Sequence, residues 1–355
     1  MGLWVESNAS SRSDNLSGRG GTLRQRRRLA PGNGVTLTAD LLVVAAFGFA
    51  FSIGAHYTGA CMGMPYAAGA IRPWHALLLM APLALIGAAL ASGQVEATVG
   101  HGILGGGTVA LGVALAIVAV AFALTSAYNF ATVPTSTIQI LVFSAVGAGL
   151  AAGLPIHWST IEYLVILWAT APFAAFALGF LFVRVADHYR PPAPSRGSLA
   201  RGAVLGLVGV GAAASFAMGA NDVSNASGAL VMTGLFGLVL AGLVGGLGIA
   251  VGVLTWGRPL LQRVAFDLVE LDPRMATASQ LAQSTVILVS VAFGFFTSMN
   301  QALVGAMIGA GVARRKSTVL WKPIRSILIG WSVGPISGIS LGFGLVWALT
   351  QLHVF

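Results

Sequence analysis

The sequence predicts an all-α polytopic membrane protein made of two inverted-topology repeats with broken or re-entrant helices. Composition is the first reason. The chain is 56% hydrophobic and 8% charged, with a mean hydropathy of +0.86, whereas a soluble domain carries about 25% charged residues. The second is the length of the apolar runs, which suit helices and not the roughly ten-residue alternating strands of a membrane barrel. The third is that the second half of the chain restates motifs of the first.

Taken in order, residues 1–35 are polar and basic, rising to Arg24, Arg26, Arg27 and Arg28, and are expected to form a disordered tail. A first transmembrane repeat, 36–186, holds apolar segments at about 37–53, 75–92, 108–127, 138–152 and 161–185. The Pro-rich, basic stretch 187–201 (DHYRPPAPSRGSLAR) is a solvent-side linker. A second repeat, 202–355, holds segments at about 202–216, 230–254, 277–295, 302–313 and 324–349. Several fall short of the ~20 residues of a spanning helix, so discontinuous or tilted helices are expected.

The repeats are matched by short motifs at a nearly constant offset. Ile53-Gly54-Ala55 corresponds to Met218-Gly219-Ala220, PTSTIQ (134–139) to FTSMNQ (296–301), and VGAGLA (146–151) to IGAGVA (308–313). Trp168 and Pro172 correspond to Trp331 and Pro335. Loop charge predicts inversion. Stretches 93–107 and 153–160 contain no Arg or Lys. Their counterparts 257–274 and 314–325 carry Arg258, Arg263 and Arg274, and Arg314, Arg315, Lys316, Lys322 and Arg325. Equivalent loops of opposite basic bias face opposite sides of a membrane, which places the linker and the second-repeat loops in the cytoplasm. The arginines of the tail point the other way, against four internal regions that agree. The net charge of +9 is thus a topology signal and a contact with anionic headgroups of the lipid bilayer, not a nucleic-acid footprint.

Candidate site residues fall at the repeat interface, near the midplane, where inverted repeats place their ligands. The stretch AMGANDVSNASGAL (217–230) puts the carboxylate of Asp222 beside Asn221 and Asn225, flanked by long apolar runs. An acid at membrane depth marks an ion or substrate path. Gly219, Ala220 and Gly228 suggest that the backbone breaks there. Carboxylate and carbonyl oxygens suit a hard cation, so Asp222 is a candidate sodium ligand, or it carries a coupling proton. The repeat counterpart offers His56 opposite Asn221 and Tyr57 opposite Asp222, and His56 is a second candidate proton carrier.

Thr135, Ser136 and Thr137, and again Thr297 and Ser298, each precede a small-residue helix. Hydroxyls there cap helices, whose first-turn N–H groups and positive dipole end suit an oxyanion. This matters because no Lys or Arg lies between Arg72 and Arg184. Gln139 and Gln301 follow at matching positions as further amide donors. An enzyme is not expected: Cys61 stands alone, the six His residues are scattered, and no nucleophile–base pair or metal cluster appears. A scaffold would not need mirrored polar groups.

GANDVSNASG resembles the signature of the inorganic phosphate transporter family, and PTSTIQ and FTSMNQ stand where that family carries a PxSTTH-like motif in each half. The likeness extends over nearly the whole chain from Leu37. It implies a secondary transporter, a homodimer, that moves a tetrahedral oxyanion with a cation and needs no other cofactor. Asn221, Asp222 and Asn225 would be ion or anion contacts, and Ser136, Thr137 and Ser298 oxyanion contacts. The first-half motif, IGAHYTGACMGMPYAAGAI, lacks the Asn-Asp pair, and neither later motif keeps its His. That pattern is similar to the sulfate-permease branch. Sulfate has no proton to offer a second carboxylate, whereas phosphate does, and one carboxylate fewer is one sodium ligand fewer. The expectation is a multi-pass cytoplasmic-membrane importer of sulfate, with phosphate or thiosulfate as alternatives, coupled to H+ in preference to Na+.

Overall fold

The computed structural model describes residues 33–133, 135–189, 201–267, 272–314 and 321–353. Among these every regular element is a helix, and eight segments are long and apolar enough to cross a membrane. The expected tail, apart from residues 33–35, and most of the linker lie outside the described residues.

Helix α1 (Asn33–His56) is interrupted at Tyr57 and resumes as α2 (Thr58–Ala67). Tyr57, at φ −94° and ψ 5°, occupies the bridge region between helix and strand conformations. Helices α3 (Pro73–Ala91) and α4 (Gly93–His101) follow, the first opened by Pro73, whose missing N–H is no loss at a helix start. Then come α5 (Leu111–Ala131), the short α6 (Thr137–Ala151) and the long α7 (Trp158–Tyr189). The second half comprises α8 (Arg201–Met232), α9 (Leu238–Asp267), α10 (Pro273–Ala292), the short α11 (Met299–Ala313) and α12 (Trp321–Gln351).

Two expectations are corrected here. The backbone does not break within 217–230: α8 runs unbroken through it. Its small residues serve close approach instead. A Cβ at Gly219 would collide with the backbone carbonyl of Ala84 on α3, and one at Gly228 with the Val99 side chain on α4. The break falls in the other half, at Tyr57. In addition, α2 and α4 are helices that the apolar segments had not marked.

Packing pairs the halves reciprocally. Helix α6 lies along α12 as α11 lies along α7, α1 along α9 as α3 along α8, and α1 against α5 as α8 against α10. Individual contacts repeat too. Gly54 meets the carbonyl of Ile249 as Gly219 meets that of Ala84, and Gly147 meets the carbonyl of Ile339 as Gly309 meets that of Phe176. In the first set the same shift along the chain relates both partners, and in the second the two shifts differ by one residue.

The two ends of the molecule differ. At one, Arg314 donates from Nε to Asp187 Oδ2 (2.7 Å) and from Nη1 to Asp272 Oδ2 (2.6 Å), tying α7, α10 and α11 together. Asp272 also caps α10 by accepting from the backbone N–H groups of Arg274 and Met275. At the other, Gly105 N donates to Pro155 O (2.8 Å), His157 N to Ile103 O (3.0 Å), and Val109 N to the last residue of α8, Met232 (2.9 Å). Helix α8 spans between them, about 48 Å for its 32 residues.

Candidate functional site

Asn221, Asp222 and Asn225 project from α8 and are fully buried. The Asn221 amide clasps the extended backbone just before α11. Its Oδ1 accepts from Thr297 N (3.0 Å), and its Nδ2 donates to Thr297 O (2.9 Å) and to Asp222 Oδ2 (3.0 Å). Asn225 Nδ2 reaches Asp222 Oδ1 (3.4 Å) and Thr137 Oγ1 of the first half (3.3 Å), and Thr137 Oγ1 also meets the Tyr57 hydroxyl (2.9 Å). The phenol thus enters the carboxylate's neighbourhood from the break in the first half. Asn225 Oδ1 and Thr297 Oγ1 are buried and have no hydrogen-bond partner. Buried polar oxygens without partners are costly, and both belong to residues tied to the acid: Asn225 donates to Asp222, and Thr297 is held by Asn221, which also donates to Asp222.

Ser136 and Ser298 are the N-caps of α6 and α11, accepting from Gln139 N and Gln301 N at 3.4 Å each. Both serines are buried. Gln139 and Gln301 meet across the halves, each donating to the other's carbonyl, at 3.5 and 3.4 Å. The two short helices therefore start close together, with the remaining first-turn N–H groups lacking acceptors within the helix. Outward from the glutamine pair opens a cavity of about 650 Å³, walled by Trp168 and Pro172 from one half and Trp331 and Pro335 from the other.

His56 is buried and hydrogen-bonded at both ring nitrogens. Its Nδ1 lies 2.6 Å from Asn129 Oδ1, and Asn129 is oriented by donating its own amide to the carbonyl and hydroxyl of Ser52 (2.9 Å each). Nδ1 is therefore the donor. Nε2 faces two donors, Thr135 N (3.2 Å) and Asn300 Nδ2 (3.3 Å), and one acceptor, Thr135 O (3.2 Å), to which Asn300 also donates (2.8 Å). A second ring proton has an acceptor in Thr135 O, so the ring nitrogen can accept from Thr135 N or donate to Thr135 O. His56 and Asn300 together hold Thr135 as Asn221 holds its counterpart Thr297. The expected outcome of His56→Ala is a destabilised protein, by about 1–3 kcal/mol for the buried N–H left without a partner. A pH profile of its residual transport displaced from that of the wild type would assign proton work to the ring; an unmoved profile would leave it structural.

Sequence reasoning had not singled out Asn129, Asn300 or Gln283, whose Nε2 donates to Met299 O (3.3 Å). Asn300 was within reach, since it sits inside FTSMNQ. Asn129 and Gln283 have no motif around them, and only folding brings them to the site.

The family model described as the phosphate transporter family matches residues 53–205 and 203–342. The chain belongs to that family. As a member it is a multi-pass membrane transporter and not an enzyme. Among its relatives is the sulfate permease CysP of Bacillus subtilis, 27% identical over 302 residues, covering 84% of each chain. A probable low-affinity inorganic phosphate transporter of Mycobacterium bovis is 29% identical over 329 residues, covering 86% of this chain and 77% of the relative. A solved structure of a sodium-dependent phosphate transporter superposes with a TM-score of 0.78 at 21% identity, covering 89% of this chain and 99% of the other. At that identity the likeness establishes the fold.

Proposed function

We propose that this transporter imports an inorganic tetrahedral oxyanion, sulfate in the first place, across the cytoplasmic membrane by proton-coupled alternating access. Residues 36–186 and 202–355 act as inverted repeats about the Gln139–Gln301 pair, and two copies form a homodimer. The Asp187–Asp272–Arg314 end faces the cytoplasm, because it collects the basic loops. The observation that carries the reading is a site with one carboxylate and two facing helix starts. The anion is bound by N–H groups and hydroxyls at Ser136, Thr137 and Ser298, with no Lys or Arg among the candidate contacts. Neutral donors suit a dianion that must also leave, since a fixed cation would hold it too firmly.

Asp222 handles the driving cation. A proton on Asp222 removes its repulsion toward the anion, so anion and proton favour each other's binding. Asn225 Oδ1 and Thr297 Oγ1 would complete an oxygen set for sodium instead. In the first half Tyr57 stands where a second carboxylate would, and a phenol donates to an unprotonated oxyanion without repelling it. Phosphate is the second reading, favoured by the retained acid, which accepts a P–OH hydrogen bond. Labelled sulfate and phosphate uptake into proteoliposomes separates them. Sulfate uptake driven by an inward proton gradient is expected; phosphate uptake driven by sodium, with sulfate inert, would replace the reading.

Ser136→Ala and Ser298→Ala are each expected to weaken anion binding about tenfold or more, the loss of a hydrogen bond to a charged group being about 1.5–3 kcal/mol. Titration calorimetry reads this directly. Unchanged affinity in both variants would remove the paired helix starts from the binding site.

A further inference from the structure

A second acid is buried on the other face of α8. Glu96, on α4, has no exposed surface. Its Oε1 lies 3.2 Å from Ser92 Oγ and 2.9 Å from Ser227 Oγ, and its Oε2 is buried without a partner. Gly242 on α9 leaves room for the group, since a Cβ there would come within 2.7 Å of Oε1.

Counting protons decides what is bound. Ser92 and Ser227 have one hydroxyl hydrogen each. Each hydroxyl also faces a backbone carbonyl four residues back, Ala88 O and Val223 O respectively. Three acceptors thus compete for two hydrogens. If Glu96 is ionised, a serine must leave its carbonyl to serve the carboxylate, and Oε2 stays bare, which is expensive for a buried charge. A proton on the carboxyl, donated to a serine oxygen, lets both serines keep their carbonyls.

Among the described residues no cation hydrogen-bonds to the ionised form. The titratable groups with described side chains on α4 and the helices around it are His75 on α3, His101 on α4, Arg201 and Asp222 on α8, Arg258 on α9 and Arg274 on α10. None hydrogen-bonds to Glu96; its partners are the two serines. Asp222 precedes Ser227 by five residues, about 7.5 Å along the helix and about 140° around it. Burial pushes the Glu96 carboxyl up from its ordinary range, with Ser227 and Ser92 drawing it partly back.

We infer that Glu96 is a proton-binding site separate from the anion site, lying toward the end of α8 opposite the basic loops. Its protonation stands on the geometry alone, whereas its use as a station for the driving proton rests on the proton-coupled reading above.

Infrared spectroscopy of the protein in lipid tests the first part. A protonated-carboxyl C=O band is expected near neutral pH, lost in Glu96→Gln and still present in Asp222→Asn. Because the folded group holds its proton more firmly than the unfolded chain, the stability it contributes is present at lower pH and is lost as pH rises through its folded pKa. The band and that stability increment should disappear together on alkalinisation. A Glu96→Gln spectrum identical to the wild type would overturn the inference. Should that variant fail to assemble, Ser227→Ala serves: the band should shift once a partner is gone, and an unmoved band would count against the site. For the second part, proton-driven uptake should be lost in Glu96→Gln while anion exchange persists. Gradient-driven uptake that survives in this variant would rule out the coupling role. A wild type with no proton-driven uptake would instead sink the proton-coupled reading and leave the infrared result standing.

Discussion

Asp222→Asn is expected to abolish concentrative anion uptake, leaving only what an existing anion gradient drives, while the protein remains folded in the membrane. Asparagine keeps the size of the side chain and an oxygen for the Asn221 and Asn225 amides, which now donate to the carboxylate at 3.0 and 3.4 Å. What it loses is the ability to bind and release a proton, or to neutralise a sodium ion. An intramembrane acid is costly to keep and is ordinarily retained for such work. Anion exchange without net cation movement should survive, because the helix starts of α6 and α11 are untouched. Vesicle uptake with and without an imposed gradient separates the two activities. Full concentrative uptake by the variant would take Asp222 out of the coupling step.

Asn221→Ala should be the most damaging single substitution for the architecture of the site. Thr297, just before the N-cap of α11, has its N–H and C=O both satisfied by one amide, at 3.0 and 2.9 Å. Both groups are buried, and each is left unpaired in the variant at about 1–3 kcal/mol. The loss of about 2–6 kcal/mol is a large part of the stability of a typical domain. Asn221→Gln should not rescue it, because the longer side chain carries the paired N–H and C=O past the backbone they match. Thermal unfolding in detergent with and without anion provides the measure. A variant as stable as the wild type, and equally stabilised by anion, would show that the clamp is dispensable.

The duplication was legible because its motifs are short, local and restated: Gly54 and Gly219, Ser136 and Ser298, and Gln139 and Gln301 all emerge in equivalent places. Capping by Ser136 and Ser298 was likewise legible, since a hydroxyl three residues ahead of a first-turn amide is a local relation. Glycine was misleading. At Gly219 and Gly228 it suggested a break, but whether a glycine relieves a turn or admits a neighbour depends on Ala84 and Val99, more than a hundred residues away. The partners of His56, Asn129 and Asn300, lie far along the chain, so its hydrogen bonds were not legible in the sequence. Helix α4, GQVEATVGH, looked like a polar connection because one of the two partners of its acid, Ser227, is met only across the fold.

Where the anion sits decides how this transporter works. A density map of the protein in lipid with selenate, a heavier tetrahedral dianion, should show its strongest anomalous peak between the starts of α6 and α11, within hydrogen-bond reach of both Ser136 and Ser298. A peak on one helix start alone, or in the basic loops beyond Arg314, would contradict it.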